Sequence, residues 1–381
     1  MPILVRTKKR VIMFSSASTL VTLSATFLLP ALANASVTII GVVPGTAGPA
    51  LSVTVGKPAT SSDMTRWKLA ASHGDAKAES RLAGVFLARH DATKAADWMR
   101  KSAHHGYARA ENTLGMFYLT GFGVPRNYIS ALKWFRRAAS QGYVTAEANL
   151  GLLYQKGLGV SRSYTTAAKW FRVAAVGGNP EAQGGLGYLY RNGFGVPRDY
   201  RRASKWYRKS AMQGDPLGES GLGDLYLLGL GGPRDYTKAL YWYRKAAVQG
   251  NADAENGIGI LYTNGLGVPQ NYSTAMRYFR KAAAGGYAVA MRNIGMLYLY
   301  GHGVPQNYST AEAWFRRAIA AGDTGAKAEL AWIKRAEVEN LLSWIALTAV
   351  VTGAVWWVRK RLRRSSRNRL HIDKKTGLLR P

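Results

Sequence analysis

Cysteine is absent from the 381-residue sequence, which excludes disulfides, thiolate nucleophiles and sulfur-ligated zinc. Histidine is scarce at 6 residues. The adjacent His104 and His105 cannot both face one metal from a helix end without distant ligands, so no metal and no other cofactor is expected. No glycine-rich phosphate loop is present. Acidic residues are also few, 21 against 52 Lys and Arg, for a formal net charge of +31. That charge is uneven: residues 1–35 contribute +4 and residues 359–381 contribute +9, leaving +18 between them. Such a field favours anionic partners and discourages self-association.

The two ends of the chain bear on which partners it can meet. Arg6, Lys8, Lys9 and Arg10 precede an apolar run from Val11 to Leu32, and Ala31-Leu32-Ala33 and Ala33-Asn34-Ala35 both offer small residues at signal-peptidase spacing. Residues 1–35 therefore read as a secretory signal cleaved after Ala33 or Ala35, or as an uncleaved anchor. Residues 36–60, rich in Gly, Pro, Thr and Val, read as a flexible linker. Near the other end, Leu341 to Val358 holds no charge, is marked by Trp344, Trp356 and Trp357, and is followed at once by Arg359-Lys360-Arg361. A helix of this length covers ~27 Å, close to a hydrocarbon core. Residues 340–358 are thus expected to span a membrane, with a basic cytoplasmic tail over 359–381 and the bulk of the chain outside the cytosol. This implies a single-pass protein of a bacterial cytoplasmic membrane, periplasmic in its main part. No nucleic-acid partner is expected there.

The body of the chain is periodic. Gly115, Gly151, Gly187, Gly223, Gly259 and Gly295 recur every 36 residues, as do Trp134, Trp170, Trp206, Trp242, Tyr278 and Trp314. A shorter unit at Gly74–His105 carries Trp98 in register, as a terminal capping repeat does. Within one repeat, Ala110, Leu114, Phe117 and Tyr118 form the apolar stripe of a first helix. Gly121 and Gly123 break it, Pro125 stiffens the connection, and Asn127 sits where an N-cap belongs. Tyr128, Ala131, Trp134, Phe135, Ala138 and Ala139 then line a second helix. Gly115 inside the first helix costs ~1 kcal/mol against Ala, which implies close approach of another helix. One such pair cannot bury both stripes, so neighbours must stack. The expected fold is an all-α solenoid over residues 61–339.

The segments Leu150-Gly151-Leu152-Leu153-Tyr154, Gly193-Phe194-Gly195-Val196-Pro197-Arg198-Asp199-Tyr200 and Ala239-Leu240-Tyr241-Trp242-Tyr243-Arg244-Lys245-Ala246-Ala247 resemble the Sel-like repeats, the 36-residue variety of tetratricopeptide-type solenoid. The resemblance covers about Met64 to Ala321. Ser161 and Gly232 depart from it, where the pattern has Pro and Val. It implies an adaptor: bacterial envelope members take part in exopolysaccharide export, regulation or host contact, and a eukaryotic membrane member serves protein quality control in the secretory pathway.

Some cysteine-rich members are linked to β-lactam binding, and Ser130-Ala131-Leu132-Lys133 with Lys375-Thr376-Gly377 spells two elements of serine β-lactamases. Ser130, however, aligns with Thr166, Arg202, Lys238, Thr274 and Thr310, an ordinary helix position, and Lys375 lies across the expected membrane. A β-lactam-binding or hydrolysing enzyme is thus a distant alternative, and no catalytic residue is assigned. Asn271-Tyr272-Ser273 and Asn307-Tyr308-Ser309 match a glycosylation sequon but coincide with the capping position.

Two constellations remain. Arg136, Arg172, Arg208, Arg244, Arg280 and Arg316 recur at one point of the second helix, a ladder that either follows a polyanion or only solvates a face and packs its stems on the Trp residues. On the first helices the repeats differ at Leu119, Gln155, Arg191, Leu227, Thr263 and Leu299, next to Thr120, Lys156, Asn192, Leu228, Asn264 and Tyr300. Repeat identity maintains the fold, so partner choice is expected where repeats differ. The sequence thus points to a non-enzymatic envelope scaffold binding another protein through these groove positions. The alternative is a receptor for an anionic polysaccharide or lipid using the ladder.

Overall fold

The computed structural model describes residues 59–368 continuously, with short strands at Ile3–Thr7, Arg10–Phe14, Val37–Gly41, Leu51–Val55, His371–Ile372 and Leu379–Arg380. The first four strands pair antiparallel, the first between the second and the third. They occupy stretches that the sequence assigns to an export signal and a linker. The cleavage positions after Ala33 and Ala35 and the Lys375 element lie outside the described residues.

Helices account for the rest: α1 (Ser61–Ser72), α2 (Ala76–Ala88), α3 (Ala92–His104), α4 (Ala108–Thr120), α5 (Tyr128–Ser140), α6 (Val144–Lys156), α7 (Tyr164–Val176), α8 (Pro180–Asn192), α9 (Tyr200–Met212), α10 (Pro216–Leu228), α11 (Tyr236–Val248), α12 (Ala252–Asn264), α13 (Tyr272–Ala284), α14 (Ala288–Tyr300), α15 (Tyr308–Ala320) and α16 (Ala326–Asn368). From α2 to α15 they alternate as first and second helices of the repeat, as the periodicity requires.

Local chemistry sets each boundary. First helices from α4 onward end on a left-handed glycine, such as Gly121 at φ +77°, which an L side chain adopts only at a cost. The second helix then starts on a side-chain cap: Asn127 accepts from the Ser130 N–H, and Ser163, Asp199, Asp235, Asn271 and Asn307 do the same for the residue three on. Ser130 is therefore a capped position at a helix start, and the sequon asparagines are caps as well. In the connection, Gly195 sits at φ +66°, and any side chain there would collide with the Tyr164 backbone of the preceding repeat.

The chain divides into two compact units, Met1–Gly286 and Tyr287–Pro381. In the first, each second helix from α3 to α11 is packed between its own first helix and that of the next repeat. One cluster joins Met116 and Leu119 of α4, Ala131, Phe135 and Ala138 of α5, and Ala146, Leu150 and Leu153 of α6. The glycine inside each first helix from α4 onward is where the second-helix ring presses in. A Cβ on Gly115 would lie 2.7 Å from Phe135 Cε1, and one on Gly223 would lie 2.5 Å from Tyr243 Cδ1. The close approach expected from Gly115 is thus made by an aromatic ring of the same repeat.

In the second unit, Leu299, Phe315, Ala326 and Ile333 share a core that closes α14 and α15 against the start of α16. The stretch 340–358 is part of α16, which begins within the repeat domain expected over 61–339. No Gly or Pro interrupts Ala326–Thr352, so one helix runs through to Asn368. Among the described residues no helix is long and apolar enough to cross a membrane. The described side chains Trp344, Val350, Trp356 and Trp357 of α16 are exposed.

Candidate functional site

The arginine ladder has a structural duty. Arg136 donates to Tyr154 Oη at 2.7 Å, Arg172 to Tyr190 Oη at 3.2 Å and Arg244 to Tyr262 Oη at 3.3 Å, each tying a second helix to the first helix of the next repeat. Arg316 instead pairs with Glu312 on its own helix. Except after Arg172, where Val173 follows, the cation next to a ladder arginine lies over the repeat's aromatic ring: Arg137 over Trp134 at 4.9 Å, Lys209 over Trp206 at 4.8 Å and Lys245 over Trp242 at 5.1 Å. Both rows nevertheless keep their heads at the surface; Arg136, Arg172, Arg208, Arg244, Arg280 and Arg316 are all exposed.

The groove positions separate into two groups. Leu119 and Leu299 are buried to 2% and belong to core clusters, and Leu227 packs against the cluster around Tyr243. Thr263 donates to Gly259 O of its own helix, and Gln155 is half-buried. These positions vary within packing limits, and Leu119 and Leu299 are closed to solvent. The next residue along is the outward one: Lys156, Asn192, Leu228, Asn264 and Tyr300 are exposed. Arg191 is the exception among the first group, and it leads to the most distinctive arrangement in the first unit.

Arg191 of α8 forms an ion pair with Asp224 of α10, whose side chains retain 25% and 15% exposure. The other Asp224 oxygen, Oδ1, accepts from Tyr243 Oη of α11 at 2.6 Å, and Tyr207 of α9 interacts with Arg191. Asp253 of α12 adds a second negative charge nearby. Arg191, Asp224 and the two tyrosines all depart from the repeat, whereas Asp253 has an acidic counterpart in Glu181. Where Tyr207 and Tyr243 stand, other full repeats have Phe135, Phe171, Phe279 and Phe315; where Asp224 stands they have Met116, Leu152, Tyr188, Ile260 and Met296. Gly221 and Gly257, where other repeats have Thr113, Asn149 and Asn293, clear the space: a Cβ on Gly221 would lie 2.5 Å from Tyr207 Cζ and one on Gly257 2.6 Å from Tyr243 Cζ. Aligning repeats at these positions, and not only at the outer turn, is the sequence signal that finds Asp224 and the two tyrosines.

The cluster is electrostatically tense. Burial, then the charge on Asp253, pushes the Asp224 carboxyl up, against Arg191 and the Tyr243 hydroxyl, which favour its charged form. Burial opposes the Arg191 charge, but Asp224, Tyr207 and Asp253 together more than offset this and keep the guanidinium protonated. Both phenols are pushed up chiefly by burial. At the start of the same helix that carries Asp224, Asp215 caps α10 from a site where burial pushes its carboxyl up to about 6, with Ser210 donating at 2.5 Å.

Elsewhere, His105 Nδ1 lies 2.8 Å from the buried Glu79 and His104 packs edge-on to Trp134. Among the described residues no cluster of His, Asp or Glu could hold a metal ion.

A family model described as Sel1 repeat matches residues 78–107, 108–143, 144–179, 180–215, 216–251, 252–287 and 288–323. Among solved structures the chain is similar to a Sel1 repeat protein from Oxalobacter formigenes, with TM-score 0.57, 29% identity, and coverage of 63% of this chain and 96% of that one. It is also similar to a protective antigen of uropathogenic Escherichia coli displaying an SLR fold, with TM-score 0.40, 32% identity and coverage of 71% and 67%. No curated protein matches.

Proposed function

The chain belongs to the Sel1 repeat family, and from that premise we propose that it is a non-enzymatic scaffold reading a protein partner on the first-helix face of α8, α10 and α12. One observation carries this reading. Two consecutive repeats place Asp224 where the other full repeats have Met, Leu, Tyr or Ile and two tyrosines where they have Phe, and they pair Asp224 with Arg191, where the other repeats have only neutral residues, so the fold itself does not require them. Burying such groups costs stability unless they are paired, and a cost confined to part of an array points to recognition. Around the cluster, exposed Asn192, Leu228 and Asn264 give a mixed polar and apolar rim suited to a protein surface.

The same reading places the protein at the cell envelope. Its support is the basic and apolar start with its Ala-x-Ala sites, and the uncharged run before Arg359-Lys360-Arg361, which lies in or against the membrane.

The test is a photo-crosslinker introduced in cells at Leu228 on the first-helix face or at Lys133 on the second, both exposed. A discrete protein adduct is expected from Leu228 and none from Lys133. Adducts appearing only from Lys133 would overturn the assignment of the face.

A further inference from the structure

The repeat sorts its charge by helix. In the first unit the second helices α3, α5, α7, α9, α11 and α13 carry nineteen Lys and Arg against a single acid, Asp97; the first helices α2, α4, α6, α8, α10 and α12 carry five against eight. The surplus positive charge of the repeats is therefore almost wholly on one face. Packing alone does not call for this, because the aromatic rings need only one cation each.

The same face is apolar in a place where a soluble solenoid has no use for it. Val176, Met212 and Val248 end α7, α9 and α11 and are 77%, 78% and 87% exposed. Each stands four residues after a ladder arginine: Arg172, Arg208 and Arg244. Residues at this spacing lie side by side on a helix surface. Three successive repeats thus present a guanidinium beside an aliphatic side chain. The flanking repeats have Ser140 and Ala284 at the position, so the row is a property of the central repeats.

We infer that the second-helix face of α7, α9 and α11 docks on an anionic lipid surface, its arginines meeting headgroup phosphates while Val176, Met212 and Val248 enter the boundary below them. Basic residues interleaved with exposed aliphatic ones are the pattern of interfacial binding. A soluble anionic polysaccharide would be served by the cations and would leave the aliphatic row in water, so the row selects the bilayer. The tyrosine bonds of Arg172 and Arg244 take one donor of each guanidinium and leave the rest for phosphate. This surface is separate from the first-helix face and stands or falls independently of the partner proposed there.

The chain has no cysteine, so Met212→Cys in the full chain carries a polarity-sensitive dye at one defined point. That readout reports local contact however the rest of the chain is held. Vesicles of phosphatidylcholine with phosphatidylglycerol should shift the dye emission to the blue and allow quenching by brominated lipid. Phosphatidylcholine alone should not, and dye at Leu228→Cys should respond to neither. Reversing Arg172, Arg208 and Arg244 to Glu should reduce the response about tenfold or more, given the contribution each basic residue makes at an anionic surface. Val176→Ser with Val248→Ser should weaken vesicle contact while leaving any binding of soluble dextran sulfate unchanged. A solvent-like dye at position 212 on anionic vesicles overturns the inference, as does an equal response at position 228, or dextran sulfate binding with no vesicle contact.

Discussion

Replacing Gly223 by alanine adds one methyl group inside α10, at the point where the Tyr243 ring lies against the backbone. The new Cβ would sit 2.5 Å from both Cδ1 and Cε1 and 3.0 Å from Cγ, too close for any of them. The ring is fully buried and cannot swing into water. Overpacking of this kind costs ~1–3 kcal/mol. The displaced ring also draws its hydroxyl from Asp224, whose 2.6 Å bond is to a carboxylate and is worth ~1.5–3 kcal/mol. Against this, alanine improves helix propensity by ~1 kcal/mol. The net expectation is a loss of ~2–4 kcal/mol, or very roughly 5–15 °C in melting temperature for an array of this size. Gly84→Ala in α2 is the control: it is also helical, has nothing within 4 Å of the added Cβ, and should be stabilising by ~0.5–1 kcal/mol. Circular dichroism melts of the full chain compare the two. Because long arrays lose strict two-state behaviour, hydrogen exchange of the α10 and α11 amides should locate the loss. Equal stabilisation by both substitutions would refute the packing argument.

Tyr243→Phe should cost ~1.5–3 kcal/mol in urea unfolding through loss of the Asp224 bond, even though phenylalanine suits the same position in four other full repeats; a neutral result would mean that Asp224 is satisfied without it. Asp215→Asn tests the cap with the raised carboxyl. The folded state binds its proton more tightly than the unfolded chain, so stability is fully present below pH 4 and falls as pH rises through about 6. Asn179 and Asn251 already fill the equivalent cap. The variant should therefore match the parent near pH 4 and exceed it by ~1–3 kcal/mol above pH 6, and a difference independent of pH would contradict the shift. A reporter fused within 265–269 should be active only outside the cytosol; activity only inside it would sink the envelope reading.

The repeat boundaries, the caps and the glycine that admits an aromatic ring are legible in the sequence because each is a local requirement repeated at a fixed spacing. Asn127 and Gly115 needed only their neighbours to be interpreted. The groove was less legible. Leu119, Leu227 and Leu299 differ from Gln155 and Arg191 in chemistry, yet all pack at least partly inside, since variation between repeats marks changed packing as well as changed recognition. Asp224, Tyr207 and Tyr243 lie far apart in sequence and meet only through stacking of α8 to α11, so their partnership is a property of the tertiary structure. The continuity of α16 past residue 340 was likewise masked by composition: the apolar run suggested a separate element, whereas backbone propensity carries one helix through.

The central claim is that a protein partner is read on the first-helix face, and paired titrations of the purified partner test it most directly. One double variant, Asn192→Arg with Leu228→Asp, changes two exposed residues beside the cluster and spares the core, which Leu227→Asp would not. The other, Arg208→Glu with Arg244→Glu, changes the ladder. With circular dichroism confirming equal helix content, the first should weaken binding at least about tenfold, ~1.4 kcal/mol, at both low and physiological salt, and the second should change it little. A larger loss from the ladder variant that disappears at high salt would contradict the claim.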